Sequence, residues 1–308
     1  MTDNHALNRS AAHASITVAV ILLGMKGWAA WSTGSTAMLG SLADTTLDLV
    51  ASVATLLGVS IAAQPADEKH RFGHGKAEAI AAMFQIVLIS ISALGIAVRA
   101  VEQLIAGGRT QAAAEGIGVS AFAIVLTLAL VGWQRHVIRK TSSLAISTDN
   151  VHYQSDLLLN LSVIAALVLD QFVGLRSADA LFGLAIAAWL GWGAWNASGE
   201  AIEQLMDREW APEKKDRFLA VLARNPDITG VHDLRTRTSG NKDFVQFHVW
   251  VDPAMTVRDA HRVMDDIEAR LHAEFPDVEI LIHPDPEGLI DEVGDAGDDV
   301  LASGPQMA

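Results

Sequence analysis

The sequence contains no cysteine among its 308 residues. This absence excludes a disulfide framework, a thiolate metal site and thiol redox chemistry. Any bound metal must therefore be held by histidine, aspartate or glutamate. The chain also lacks an H-E-x-x-H motif, and residues 1–13 have neither the basic region nor the small-residue cleavage site of a signal peptide. The first hydrophobic segment is therefore interpreted as a retained part of the protein.

Positive charge is scarce, because 22 lysine and arginine residues stand against 36 acidic residues and give a net charge of −14. Such a chain would not neutralise phosphates, which argues against nucleic acid as a partner. The imbalance is concentrated near the carboxyl end. From Met206 onward there are 22 acidic and 11 basic residues, whereas the first 205 residues hold 14 and 11. An almost neutral body is thus followed by an acidic, water-soluble domain.

Long apolar runs fill the body, and 51% of all residues are hydrophobic, which is typical of a membrane protein. Six segments are long enough to cross about 30 Å of hydrocarbon. These predicted spans are residues 15–31, 37–63, 77–104, 117–137, 144–173 and 178–201. The lipid bilayer is therefore an expected partner of this part of the chain.

Lysine and arginine are unequally distributed between the two sides of the predicted spans, and such residues favour the cytoplasmic side. Two of them, Arg109 and Arg176, lie on one side. The other side has seven, namely Arg9, Lys69, Arg71, Lys76, Arg135, Arg139 and Lys140. The pattern predicts a multi-pass protein of the cytoplasmic (inner) membrane with both termini in the cytoplasm.

Residues 206–288 have the periodicities of a small mixed domain. The pattern predicts helix, strand, strand, helix and strand in that order, at residues 212–225, 231–238, 244–251, 256–275 and 278–282. The fold class is therefore an all-α domain of six membrane-spanning helices followed by a small α+β domain. The predicted division is a cytoplasmic tail at 1–13, a transport domain at 14–205, a soluble domain at 206–288 and a disordered acidic tail at 289–308.

Two acid-containing pairs inside the predicted spans carry the strongest chemical signal. Asp44 and Asp48 are four residues apart in one span, and His152 and Asp156 are four residues apart in another. Residues at this spacing share one helix face, and carboxylates at bilayer depth are costly unless they are paired. Three carboxylates and one imidazole form a ligand set that suits Zn²⁺. The alternatives for a single buried aspartate are a helix N-cap, a helix–helix hydrogen bond or a predicted span that is drawn too long.

Two further clusters are candidate metal sites outside the spans. Asp67, His70 and His74 lie in one polar loop at a spacing that suits one metal, with Glu68 nearby; a solvated loop is the alternative. The second cluster is spread over the soluble domain and consists of His232, His248, His261, His283 and Asp285. A fold that brings these together would hold one or two metal ions bridged by Asp285, whereas surface histidines are the alternative. Lys26 and Arg99 fall inside spans, and the expectation is that their long stems reach the headgroups.

The ordered motifs resemble the cation diffusion facilitator family, and within it the bacterial zinc and iron efflux transporters of the YiiP or FieF type. The resemblance covers about residues 10 to 288 and rests on five runs. They are Leu-Ala-Asp-Thr-Thr-Leu-Asp at 42–48, Gln-Pro-Ala-Asp with His-Arg-Phe-Gly-His-Gly-Lys-Ala-Glu at 64–78, His-Tyr-Gln-Ser-Asp at 152–156, Val-His-Asp-Leu-Arg-Thr-Arg-Thr-Ser-Gly at 231–240 and Ile-His-Pro-Asp-Pro at 282–286.

The resemblance implies a homodimer with six spans per subunit and a metallochaperone-like cytoplasmic domain. It assigns the intramembrane quartet as the transport site, the loop triad as a second site and the soluble cluster as a binuclear site. It also implies that Lys76 and Asp207 form a charge pair near the membrane that helps to lock the dimer. Pro284 departs from the polar residue that the family pattern places between His283 and Asp285.

The resulting hypothesis is a proton-coupled efflux antiporter for divalent metal cations, not an enzyme, with Zn²⁺ as the leading substrate and Fe²⁺ and Cd²⁺ as further ones. Zn²⁺ would also have a structural or regulatory role in the soluble domain. Protons enter because a ligand must be deprotonated to bind metal, so that metal and protons compete for the quartet. The main alternative is a membrane-anchored metal sensor or store that uses only the soluble domain. A metallohydrolase with Glu287 or Asp233 as the base is disfavoured, because no motif supports it.

Overall fold

The computed structural model describes residues 2–33, 36–106, 117–175, 177–224, 228–240, 242–288 and 301–302. The chain divides into two compact units, Met1–Glu203 and Gln204–Ala308. The compositional change at Met206 lies two residues beyond the start of the second unit. Each unit has its own buried core, so each is described separately.

Residues 2–205 form six long helices in the described part of the chain. They are α1 (Thr2–Thr33), α2 (Thr36–Ala62), α3 (Ala77–Ile105), α4 (Ile117–Thr141), α5 (Leu144–Val173) and α6 (Ala178–Leu205). By length and composition, five of the described helices can cross a membrane, namely α1, α2, α3, α4 and α6. Helix α5 is continuous over 30 residues, and its sequence includes the polar residues Asp149, His152 and Asp156.

Helix α1 begins well before the predicted span. It starts at Thr2, so the residues expected to form a separate amino-terminal tail are helical and continuous with the span. The reason is packing: Ala11 and Ala12 are fully buried in a small cluster with Val59 and Ile146, and Leu7 packs against it. Small side chains there let α1 approach its neighbours closely.

Asp149 connects four helices through a buried polar network. Its side chain is fully buried on α5. One oxygen, Oδ2, accepts hydrogen bonds from Ser15 Oγ on α1 at 2.6 Å and from Gln134 Nε2 on α4 at 2.7 Å. The other oxygen accepts from Thr55 Oγ1 on α2 at 3.4 Å. Each of these donors therefore comes from a different helix, and together they satisfy the carboxyl group as an apolar surrounding requires.

We expect Asp149→Ala to destabilise the helical unit. The substitution removes the acceptor that Ser15 and Gln134 share. Ser15 can still donate to the backbone oxygen of Ala11, and Gln134 to Ser15 Oγ. The expected cost is therefore about 1–3 kcal/mol, for the buried N–H of Gln134 that loses its acceptor. Asp149→Asn keeps one acceptor oxygen and should recover part of the loss. Thermal denaturation of the detergent-solubilised protein measures both, and a wild-type midpoint for Asp149→Ala would contradict the role of this network.

The described residues of the second unit form a four-stranded sheet covered by two helices. Its elements are α7 (Pro212–Leu222), β1 (Gly230–Ser239), β2 (Lys242–Val251), α8 (Val257–Glu274), β3 (Val278–Pro286) and the short β4 (Leu301–Ala302). The spatial strand order is β3-β2-β1-β4. Strands β1 and β2 form the predicted antiparallel hairpin, whereas β2 and β3 are parallel and are joined through α8. The predicted α+β domain and the order of its elements up to β3 are confirmed.

The core of the second unit lies between the helices and the sheet. Phe218 of α7 and Ile267 of α8 pack with Phe247 of β2, and all three are at most 1% exposed. Helix α8 begins after Thr256, whose hydroxyl accepts a hydrogen bond from the backbone N–H of Asp259. The tail at 289–308, predicted to be disordered, lies outside the described residues, apart from the two residues of β4 that pair with Gly230 and Val231.

Candidate metal sites

The intramembrane site joins α2 to α5. Asp48 on α2 faces His152 on α5, with 2.8 Å between Asp48 Oδ1 and His152 Nε2. Asp156, one turn further along α5, places Oδ2 4.0 Å from the same nitrogen. The three ligand atoms lie within 4.8 Å of one another. Two carboxylates and one imidazole at this separation can hold a small divalent cation.

Burial of this triad suits a site that exchanges its ion. His152 has only 8% of its side chain exposed and Asp48 14%, whereas Asp156 has 29%. The imidazole is therefore enclosed by the protein, whereas the Asp156 carboxylate is partly exposed at the surface of the helical unit.

Asp44 is the member of the predicted quartet that stands apart. It lies one turn before Asp48 on α2 and is exposed, and the described group of converging ligands does not include it. The i,i+4 spacing does place it on the same helix face as Asp48. Its role as the fourth ligand stays a prediction.

Lys26 does not follow the expectation for a basic residue inside a span. Its ammonium group donates a hydrogen bond to Thr45 Oγ1 at 2.6 Å, and the Thr45 side chain is fully buried. The lysine thus binds α2 beside the metal ligands. Arg99, by contrast, is exposed on α3. Spacing alone could not predict the Lys26 contact, because it depends on how α1 packs against α2.

The loop between α2 and α3 brings together Asp67, His70 and His74. His74 Nε2 lies 3.1 Å from His70 Nδ1 and 3.4 Å from Asp67 Oδ2, and the ligand atoms of all three lie within 4.8 Å. Gly73 supports the turn with a backbone φ of 82°, which favours glycine. The loop therefore presents the predicted triad as a ready set of ligands.

Asp67 is held in its ionised form. The backbone N–H groups of His70 and Lys69 donate to its Oδ1, the former at 2.6 Å, and these bonds, that of His70 first, lower the pKa of the Asp67 carboxyl. The pKa of Asp67 is lower in the folded protein than in the unfolded chain. These bonds therefore stabilise the loop fully at pH values above the ordinary carboxyl pKa, and this stabilisation is lost as the pH falls through the lowered pKa. Asp67 is accordingly a charged ligand candidate at neutral pH.

Strand register creates the site of the second unit. His232 on β1 is paired directly with His248 on β2, which is paired in turn with His283 on β3. Asp285, two residues after His283, shares that face of the sheet. One oxygen of Asp285, Oδ2, lies 3.1 Å from His232 Nε2 and 2.8 Å from His248 Nδ1. These three residues form the third group of converging ligands in the described chain.

The remaining members of the predicted soluble cluster are only partly assembled. His283 is 60% exposed and places Nε2 3.1 Å from the other oxygen of Asp285. The carboxylate therefore contacts two histidines through one oxygen and His283 through the other. His261 on α8 is exposed and lies 3.9 Å from Asp265 of its own helix. The bridging of two metal ions by Asp285 stays a prediction, as does the ligand role of His261.

A β-bulge adds Asp233, which the sequence did not point to as a ligand. The register of β1 and β2 shifts between His232 and Arg235, and Asp233 adopts a φ of 48°. Its Oδ2 lies 3.7 Å from His248 Nε2. Alternation along the strand would place Asp233 on the opposite face from His232, so that only the bulge explains this approach.

Trp250 offers a natural reporter of the soluble site, because its ring stacks on His232 with 4.1 Å between ring centroids. We expect Zn²⁺ to change the fluorescence of Trp250 when it replaces the contact between His232 and Asp285. Most of the change should vanish in Asp285→Ala and in Trp250→Phe. It should persist in Trp210→Phe, whose ring packs on Phe218 and Phe275 instead. A full signal in Asp285→Ala would contradict metal binding at this face.

The predicted charge pair between Lys76 and Asp207 joins two different units and stays a prediction. Within the second unit, Asp207 Oδ1 lies 3.6 Å from the guanidinium of Arg237. Asp207 also adopts a φ of 57°, a left-handed conformation that aspartate tolerates better than most residues.

Comparison with known proteins gives a separate family match for each of the two units. Residues 12–206 match the family model for the cation efflux transmembrane domain, and residues 210–287 match that for the cytoplasmic domain of cation efflux proteins. The chain is 41% identical over 290 residues to a cation-efflux pump FieF of Cronobacter sakazakii, covering 93% of this chain and 96% of the relative. The FieF pump of Klebsiella pneumoniae is 40% identical over 280 residues, covering 91% and 93%.

Among solved structures, the metal-bound carboxyl-terminal domain of the CzcD transporter from Thermotoga maritima is 30% identical to this chain. The match covers 27% of this chain and all of that one, with a TM-score of 0.25. The family models and the FieF relatives, which extend over nearly the whole chain, decide the assignment. The chain therefore belongs to the cation diffusion facilitator family, as a multi-pass membrane cation efflux transporter of the FieF type.

Proposed function

We propose that the chain exports divalent metal cations from the cytoplasm in exchange for protons, with Zn²⁺ as the leading substrate and Fe²⁺ and Cd²⁺ as further ones. The observation that carries this proposal is the convergence of Asp48, His152 and Asp156 between α2 and α5. A helix that only anchors a soluble domain needs no such ligands, since each charged side chain at bilayer depth is costly. Asp44, one turn before Asp48 on the same helix face, would be the fourth ligand.

The same ligands provide the coupling to protons. Carboxylates and imidazole bind metal only in their deprotonated forms, so metal arriving from the cytoplasm displaces protons. Protons arriving from the other side then displace the metal. His152 is suited to this exchange, because an imidazole nitrogen can carry either a proton or a metal ion. If the site opens alternately to the two sides of the membrane, this competition moves metal out of the cytoplasm and protons into it.

The other two sites would act on the cytoplasmic side. The triad of Asp67, His70 and His74 would bind one ion in the loop between α2 and α3. The row of histidines around Asp285 would bind one or two ions and stabilise the homodimer that is typical of the family. Binding to the dimer alone stabilises it increasingly as the metal concentration rises, so this site responds to abundant metal. Lys76 and Asp207 would add a charge pair near the membrane surface.

A metal sensor or store is the second candidate, and the formed site at His232, His248 and Asp285 favours it. In that case the second unit would bind metal while the helices served only as an anchor. The candidates differ in flux: the antiporter moves metal across a sealed bilayer, whereas the sensor only binds it.

Metal uptake into proteoliposomes that contain the purified protein separates the two candidates. A pH gradient is imposed and then collapsed while Zn²⁺, Fe²⁺, Cd²⁺ and Mn²⁺ are compared in turn. The antiporter predicts gradient-dependent uptake with Zn²⁺ the fastest. Saturable binding of every ion without uptake would establish the sensor instead.

A further inference from the structure

Lys26 is a basic residue inside the apolar helix α1. The metal ligands of the proposed site do not by themselves explain why a positive charge is placed there. Its ammonium group binds Thr45 Oγ1 at 2.6 Å, although the lysine stem is long enough to extend toward the bilayer surface. Thr45 is fully buried. The protein therefore holds a positive charge in a partly buried position against α2, which is costly unless negative charge lies nearby.

The position of Thr45 places this charge beside the transport site. Thr45 directly follows Asp44 and precedes Asp48 by three residues, so it shares one turn of α2 with both acids. The ammonium group therefore binds α2 on the turn that carries these acids. It does so from α1, a helix that supplies no ligand to the converging group of described residues.

Counting charge shows what the lysine does. The three acids of the proposed site carry three negative charges, and Lys26 reduces the sum to minus two. One divalent cation then makes the loaded site neutral. Without Lys26, the loaded site would keep one negative charge at bilayer depth, and its acids would attract a cation more strongly.

We propose that Lys26 is the fixed counter-charge of the transport site, which matches the site to an ion of charge two and weakens binding enough for release. This deepens the proposed transport function and rests on its site. Lys26 is a positioning and specificity-determining residue, because it touches Thr45 and acts on the bound ion only through its charge. It keeps the affinity in the range from which an ion can leave.

The test compares Lys26→Gln with Lys26→Arg in the full-length protein. Glutamine removes the charge but keeps a donor for Thr45, whereas arginine keeps the charge. We expect Lys26→Gln to bind Cd²⁺ and Zn²⁺ about tenfold or more tightly, since a repulsive unit charge is removed from a poorly screened site. Flux should show a lower KM together with a lower kcat, because release becomes slower. Lys26→Arg should stay closer to the wild type in both.

Two further variants keep the test decisive. Lys26→Met is compatible with an apolar helix and should also bind tightly, so it replaces Lys26→Gln if the latter fails to fold. Arg99→Gln removes an exposed positive charge from α3 and should leave affinity unchanged. Unchanged or weaker binding in a folded Lys26→Gln or Lys26→Met protein would overturn the proposal and leave Lys26 as a helix–helix contact.

The outcome is distinguishable from failure of the proposed function. Equilibrium binding of Cd²⁺ is measured without any gradient, so it reports on Lys26 even if the wild-type protein shows no flux. Absence of wild-type flux would count against transport. Absence of a change in affinity in the charge-removing variants would count against the counter-charge.

Discussion

Asp48→Asn is expected to reduce metal flux by about a hundredfold or more while the protein stays folded and dimeric. The asparagine side chain would keep the volume of the aspartate and one oxygen near His152, but it would remove the negative charge. Loss of residues that merely support metal ligands commonly costs about 10–100-fold in affinity or activity. Because Asp48 lies 2.8 Å from His152 and converges with Asp156, loss of its charge should cost no less. Initial uptake of Zn²⁺ into proteoliposomes measures the effect.

The matched control for this variant is Asp179→Asn. Asp179 lies in the first turn of α6, where it accepts a hydrogen bond from Gln103 at 3.0 Å and belongs to none of the three ligand groups in the described chain. Its replacement should leave flux close to that of the wild type. Flux at the wild-type level in Asp48→Asn would contradict the assignment of Asp48 to the transport site.

The KM for Zn²⁺ is expected to rise steeply as the pH on the cytoplasmic side is lowered from about 8 to about 6. Each proton that the metal displaces contributes up to about tenfold per pH unit, since metal binds only the deprotonated ligands. The direction of the change in KM follows from competition between protons and Zn²⁺. Low pH favours the protonated site, and high pH favours the site that holds Zn²⁺. Uptake measured over a series of Zn²⁺ activities at each pH gives the slope.

His136→Ala is the control for this pH profile, because it removes a histidine that is not part of the proposed transport site. His136 lies on α4, exposed and stacked on Trp133, and is no member of the described ligand groups. Its removal should leave the profile unchanged, whereas His152→Gln should flatten it. A KM that is independent of pH in the wild-type protein would show that protons do not compete for the site.

The sequence allowed the ligand-bearing elements to be predicted, because helical and strand periodicities are local properties. The i,i+4 spacing placed His152 and Asp156 on one face of α5, and apolar length identified the spans. The approach of Asp48 to His152 spans 104 residues of sequence. Its prediction rested on the cost of unpaired charge in the bilayer, a physical argument that needs no knowledge of helix packing.

What the sequence could not predict depends on packing and register. The bond from Lys26 to Thr45 requires the geometry of α1 against α2, and the network around Asp149 needs four helices in place. In the second unit, the row formed by the three paired histidines of β1, β2 and β3 follows from strand pairing. The approach of Asp233 to His248 follows from a bulge that no alternation pattern contains.

The most direct test of the central claim records Zn²⁺ and proton movements together in one proteoliposome preparation. A metal-sensitive and a pH-sensitive dye inside the vesicles report both fluxes after Zn²⁺ is added outside. The account predicts that Zn²⁺ entry is accompanied by proton exit in a constant ratio, and that both signals disappear together in Asp48→Asn. Zn²⁺ entry that continues with no proton signal, or that survives in Asp48→Asn, would contradict it.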